Sequence, residues 1–433
     1  MAVLSRGTIK KVWAREVLDS RGRPTVEAEV WLESGVCGSA IAPSGASTGR
    51  GEACELRDGD PLRYDGRGVQ QAVRNVREEI GPALRGLFAA DHLKIDRRMI
   101  ELDGTPNLSR LGANAVVAVS MAVAHAVARE NEPLLHLSEY FVHLGRQVAG
   151  SPEGVSFRMP VPMVNLISGG LHAGGNLDFQ DFLGIPIGAP NFATGLEWIV
   201  RVYNRLGELL SAAGYEGRLV GDEGGFGPRL PSNRAALEFV VRAIEAARLR
   251  PGVDMAIALD VAATHFFDGE RYRLAATGGE RLSAADLIGE LEALVAAFPI
   301  VSIEDGLAED DWAGWQELTR RLGSRVRLVG DDLFVTQLAR LERGIAEGVA
   351  NAVLLKPNQV GTVTGTIAAA QAARKAGYLR VVSARSGETE DTTIADLAVG
   401  LGAEQIKIGS IVRGERLAKY NRLLRIAEAV EGA

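Results

Sequence analysis

The chain has 433 residues, enough for two to four domains at roughly 100 to 200 residues each, or for a small domain beside an eight-stranded α/β barrel. Hydrophobic residues make up 46% and charged residues 24%, a globular balance that excludes disorder and a membrane-embedded chain. The net charge of -7 removes the basic footprint needed to bind phosphate backbones or anionic lipid surfaces, so neither nucleic acid nor membrane is an expected partner.

Along the chain, MAVLSRGTIKKVWARE has no apolar core behind its charges, and the most apolar stretch, Ala115 to Ala128, is interrupted by Ser120 and His125. The expectation is no signal peptide and no transmembrane helix. Alternating runs at 26–32 and 36–43 predict strands, and the pattern turns helical from Gly68 onward. Cys37 and Cys54 are too few for a disulfide framework and lack zinc-site spacing, which predicts a reducing, cytoplasmic setting. Ala113 to Arg129 is Ala/Val-rich at helical spacing. Strands followed by helices predict a small α+β domain over 1–145. LGRQVAGSPEGVSFRMP then reads as a linker, with the break between Leu144 and Arg158.

Over 146–433 short apolar runs alternate with helical stretches of 12 to 18 residues, the form of repeated βα units. The predicted strands are 161–166, 182–187, 256–260, 299–305, 326–332, 352–356, 379–386 and 404–410. Eight strands predict a closed β/α barrel, irregular at its start because of the long gap between Ile187 and Ala256.

In five of the last six strands a charged residue sits where the apolar run ends: Asp260, Glu304, Asp331, Lys356 and Lys407, with Arg385 just past the run in the sixth. A barrel gathers the carboxyl ends of its strands at one face, where active sites are built. One acid after a strand is ordinarily a helix cap or a loop residue. Six in register predict a site in which three carboxylates converge with two lysines and an arginine. Oxygen ligands without Cys or His favour Mg²⁺ first and Mn²⁺ second. Three motifs stay open at this point. VGDEGGFGP at 220–228 is a Gly-rich turn or a loop holding an acid over the site; PSGASTG at 43–49 is a linker or a set of amides facing phosphate. HAGG at 172–175 holds a lone His, usually structural.

At these residues the chain resembles the enolases, from DSRGRPTVE at 19–27 through RLAKYNRLLRIAE at 416–428. LGANA at 111–115, SIED at 302–305, GDDLFVT at 330–336, LLKPNQVGT at 354–362 and IKIG at 406–409 carry it further. The resemblance implies an N-terminal α+β cap, an irregular barrel that begins β-β-α-α, and a homodimer or homo-octamer. It implies a Mg²⁺-dependent hydro-lyase that takes the C2 proton and the C3 hydroxyl from a 2-phosphoglycerate-like, phosphorylated hydroxy acid to give phosphoenolpyruvate. By the same resemblance Asp260, Glu304 and Asp331 hold the first Mg²⁺, and Ser47 helps hold a second. Lys356 is the base, Glu223 the acid with Asp181 as its partner, and Lys407 binds the carboxylate. Arg385 and Ser386 bind the phosphoryl group, while His172 and Gln180 complete the pocket. Lys356 must be neutral to act, and nearby Mg²⁺ and Lys407 are expected to lower its pKa.

Three positions depart from the family. Enolases usually read SHRSGETED, but the second residue here is Ala384. The usual QEF is Gln180-Asp181-Phe182, and SIEDP ends in Gly306. Three readings result: an enolase that has drifted; a paralogue whose enlarged pocket makes carboxyphosphonoenolpyruvate in phosphonate biosynthesis; or an enolase-shaped scaffold or surface protein with weak catalysis. Retention of the metal ligands, Lys356, Glu223 and Lys407 argues against the scaffold.

Overall fold

The computed structural model describes residues 7–45, 49–132, 135–150 and 157–431. Three strands open the chain, β1 (Ile9–Leu18), β2 (Pro24–Leu32) and β3 (Cys37–Ile41), paired as an antiparallel meander in that order. Val26, Ala28, Val30 and Leu32 alternate onto one face and are fully buried, the period-2 pattern of a sheet covered on one side. The helix Ala113–Glu130 covers that face. At Gly38 a Cβ would stand 2.2 Å from Ala122 O and Ala126 N, so only glycine lets sheet and helix come this close. The helix is buried almost all round because it lies between this sheet and helices of the second domain, which explains its Ala/Val composition.

The second domain is a closed eight-stranded barrel. It starts with β4 (Val161–Ser168) and β5 (Asp181–Ile185), passes through the helices Phe192–Ala212 and Asn233–Ala246, and resumes at β6 (Ala256–Asp260). A small hairpin outside the barrel, β7 (Tyr272–Leu274) and β8 (Glu280–Leu282), precedes β9 (Ile300–Glu304). The barrel is completed by β10 (Arg327–Gly330), β11 (Ala352–Leu355), β12 (Leu379–Ser383) and β13 (Gln405–Gly409). Around the ring the order is β10-β11-β12-β13-β4-β5-β6-β9. β5 is antiparallel to both neighbours, the others being parallel, so the irregular start is a β-β-α-α unit. The first six residues of the segment read as a linker are instead the end of a helix, Leu137–Ala149, which packs on Thr393–Leu401. Residues 151–156 of that segment lie outside the described residues. Among the described residues no helix is long and apolar enough to cross a membrane.

Candidate active site

Reversal of β5 decides which residues reach the barrel mouth. A parallel strand brings its last residue there, whereas β5 brings its first: Asp181 pairs across from Asp260, the last residue of β6. The mouth is thereby divided by charge. Adjacent strands β6, β9 and β10 end in Asp260, Glu304 and, one residue past the strand, Asp331. The next three around the ring bring Lys356, Arg385 and Lys407. His172 and Gln180 join from the connection between β4 and β5, and Glu223 from the segment between the helices Phe192–Ala212 and Asn233–Ala246. All of these except Asp181 and Glu304 line one cleft, together with Ala384 and Ser386. Ser47 lies outside the described residues.

The lysines reach across to the acids. Lys407 Nζ donates to Asp260 Oδ2 at 2.7 Å and to both Glu304 oxygens at 2.8 and 2.9 Å. Lys356 Nζ donates to Asp331 Oδ2 at 2.5 Å, and Gln359 Nε2 to Asp331 Oδ1 at 2.9 Å. These contacts leave about 20 Å³ at the cleft's centre, room for a single water. The expected trio is thus divided between two lysines. Among the described residues, the groups whose ligand atoms lie within 4.8 Å of one another are Asp305, Asp331 and Asp332, and His172, Asp181 and Glu223.

His172 Nδ1 is 3.1 Å from Asp181 Oδ2, and its Nε2 is 3.8 Å from Glu223 Oε1. Asn165 Nδ2 bonds the other Asp181 oxygen. The shorter Asp181 side chain therefore still reaches the imidazole. Burial alone would lower the His172 pKa, but the carboxylates of Asp181 and Glu223 raise it to about 9, so the ring is a cation at neutral pH. Burial raises Asp181 to about 6 against the pull of His172. Glu223 is also pushed up by burial, yet His172, Arg416, Lys407 and Lys356 outweigh it and hold the group below its usual range.

Lys407 acts on Lys356 in the expected direction. Burial, Arg385 and Lys407 do pull its pKa down, but contact with Asp331 wins and raises it, so in this geometry Lys356 is an ammonium. On the acidic side, burial and Asp260 push Glu304 well above the carboxylate range, and burial with Asp332 does the same to Asp305. Burial and Asp331 raise Asp332 to about 7. More negative charge is gathered here than the lysines offset. Buried carboxylates with no thiolate among them suit a hard divalent ion. Gln180, whose Nε2 donates to Asp260 at 3.1 Å, has its Oε1 buried without a hydrogen-bond partner among the described residues, one more oxygen at the same place. The residues present fit a divalent metal.

Several neighbours escape sequence reasoning. Asp305 accepts from the amides of Asp331 and Asp332 at 3.0 and 2.8 Å and so shapes the turn after β10. Arg416, fully buried, donates to the carbonyls of Arg385, Ser386 and Ile408 at 2.6, 2.7 and 2.9 Å. From the first domain, Arg21 Nη1 reaches Ser386 Oγ at 3.2 Å, and Glu52 pairs with Arg385. PSGASTG ends three residues before Glu52 and SIED contains Asp305; no spacing rule points to Arg416 or Arg21.

Family models cover nearly the whole chain. Residues 9–140 match the enolase N-terminal domain, and residues 156–433 match the enolase C-terminal TIM barrel domain. With the closed barrel, the antiparallel cap sheet and the acidic mouth in agreement with both, the chain belongs to the enolase family of lyases.

Proposed function

We propose that the chain is a Mg²⁺-dependent hydro-lyase that removes the C2 proton and the C3 hydroxyl of a 2-phosphoglycerate-like acid, giving phosphoenolpyruvate or a close analogue. The observation that carries this reading is the division of the barrel mouth. Lys356 follows β11 and Asp181 begins β5, four strands apart in a ring of eight, so base and acid sides face each other across the cleft. Loss of a proton and of a hydroxyl from adjacent carbons calls for two such groups. Lys407 would hold the substrate carboxylate, and Arg385 with Ser386 the phosphoryl group. Asp260, Glu304 and Asp331 would hold one Mg²⁺, with Mn²⁺ as the substitute; the second ion, with Ser47, rests on the family resemblance. Bound metal would supply charge stabilisation for the second negative charge that grows on the carboxylate.

The chain's own residues do the rest. Lys356 becomes a base once Asp331 no longer holds its proton. Glu223, an anion in this geometry, becomes an acid only once substrate engages the cations that hold it ionised; it then takes up the proton that His172 carries between Asp181 and Glu223 and passes it to the departing hydroxide, which leaves as water while the C2–C3 double bond forms. Homo-oligomeric assembly and a cytoplasmic setting belong to the same proposal. As a test, chelation should abolish turnover of 2-phosphoglycerate and Mg²⁺ should restore it. Lys356→Ala should slow exchange of the C2 proton with deuterium oxide by about 10²-fold or more, while Glu223→Gln retains some exchange. Exchange at the native rate in Lys356→Ala would assign the base elsewhere.

A second reading, turnover of a carboxyphosphono analogue, is favoured by Ala384, whose small side chain lines the cleft beside Arg385. If that room accepts a bulkier phosphoryl substituent, Ala384→His should raise kcat/KM for 2-phosphoglycerate relative to the analogue by roughly 10- to 200-fold. Native turnover of 2-phosphoglycerate at the faster rate, with no gain from Ala384→His, would leave the first substrate.

A further inference from the structure

We infer that Glu52, a residue of the cap domain, sets the anion affinity of the barrel's Arg385 by neutralising it from outside the site. The inference rests on the reading of Arg385 as the phosphoryl-binding residue. Arg385 Nη1 donates to Glu52 Oε2 at 2.9 Å and Nη2 to Glu52 Oε1 at 3.1 Å, a two-pronged pair with side chains only 3% and 8% exposed. Glu52 is itself fixed: its Oε1 accepts from Gly49 N at 3.2 Å and from Gln359 Nε2 at 3.3 Å. The two partners face different spaces. Arg385 lines the catalytic cleft, whereas Glu52 lines a neighbouring cavity of about 390 Å³ with Asn358, whose Oδ1 also accepts from Arg385 at 3.1 Å. A phosphoryl group arriving in the cleft therefore meets a guanidinium whose charge is already opposed from behind.

Two effects of Glu52 compete. Holding the guanidinium in place favours binding, and loss of that order would weaken it by roughly 2- to 12-fold. Opposing its charge disfavours binding, and changes at buried charge pairs alter affinity by roughly 30-fold or more. The second is larger, so Glu52 weakens the grip on phosphate. The consequence for turnover is easier release of a phosphorylated product.

The test is calorimetric titration of the full-length protein with inorganic phosphate in Mg²⁺ buffer. Glu52→Gln, which keeps shape and removes charge, should bind phosphate roughly tenfold tighter than native, and KM and kcat should fall together. Glu52→Asp should stay within about threefold of native. If Glu52→Gln fails to fold, Glu52→Met must show the same tightening. Phosphate bound equally or more weakly by the uncharged variants would overturn the inference and leave Glu52 as a prop. Arg385→Met should abolish the effect in both backgrounds; native-strength phosphate binding in Arg385→Met would overturn the role of Arg385, and the inference with it.

Discussion

His172 is buried at the edge of the cleft, and it keeps its proton because Asp181 and Glu223 stand on either side. Its folded pKa of about 9 lies above the unfolded value near 6.5, so folding takes up a proton there. That stabilisation is fully present below pH 6.5 and is lost as pH rises through 9. Its size is about 3 kcal/mol. Asp181 acts in a different window: its folded value of about 6 exceeds the ordinary 3.8, so its burial lowers stability as pH rises from 4 to 6 and adds nothing further above. Urea unfolding in chelator at pH 6.5 and 9.5 should therefore show a loss in the native protein that His172→Gln lacks. Equal pH dependence in the two would mean that the imidazole is not held as a cation. The HAGG motif by itself offers only a lone histidine, and the family resemblance places His172 in the pocket, but neither reveals its charge because the two carboxylates that hold it come from other segments.

Strands that end in a charge are legible because six short apolar runs in succession, each closed by a charged residue, are explained together by buried barrel strands reaching one solvent face, although any one of them alone would read as a helix cap or loop. Boundaries differ by up to three residues: 182–187 is Asp181–Ile185, 326–332 is Arg327–Gly330 and 379–386 is Leu379–Ser383. Strand direction was not legible from the residues. FLGIPI carries the same apolar pattern whichever way it runs, and the antiparallel course of β5 depends on helices from Phe192 to Ala246 returning the chain to β6. β1 was missed because IKKVWAREVL places lysines and an arginine among its apolar residues, and it is only partly covered. Its Arg15 is engaged by Glu27 and Glu29 of β2, pairings that form only once the strands are in register. The end of the helix Leu137–Ala149 resembles a linker in sequence because Gly145 and Gly150 bracket it, although Leu144 and Gly145 are buried.

Cap and barrel meet through more than the catalytic cleft. Ser44 and Gly387 exchange backbone hydrogen bonds at 2.8 and 2.9 Å, Val363 N donates to Ser120 Oγ at 3.0 Å, Thr364 Oγ1 to Asp96 at 2.7 Å, and His125 meets Thr393 at 2.8 Å. One continuous apolar core runs from Ile9 through the helix Ala113–Glu130 to Ala427, while a separate small core fills the barrel interior around Met163 and Leu354. Neither domain buries its shared face alone, so the energetics of the two are tied. The chain should unfold in one transition, with calorimetric and van't Hoff enthalpies equal. Tryptophans report on both halves, Trp13 and Trp31 in the cap and Trp198, Trp312 and Trp315 in the barrel. Replacing either group by Phe should leave melts monitored by the remaining Trp residues coincident. Gly38→Val, which wedges a side chain between β3 and the backbone at Ala122, should lower both melts by the same amount even though it lies wholly in the cap. A barrel signal that stays put while the cap signal falls would show two independent folding units, and Glu52 would then sit on a domain able to loosen without the site it borders.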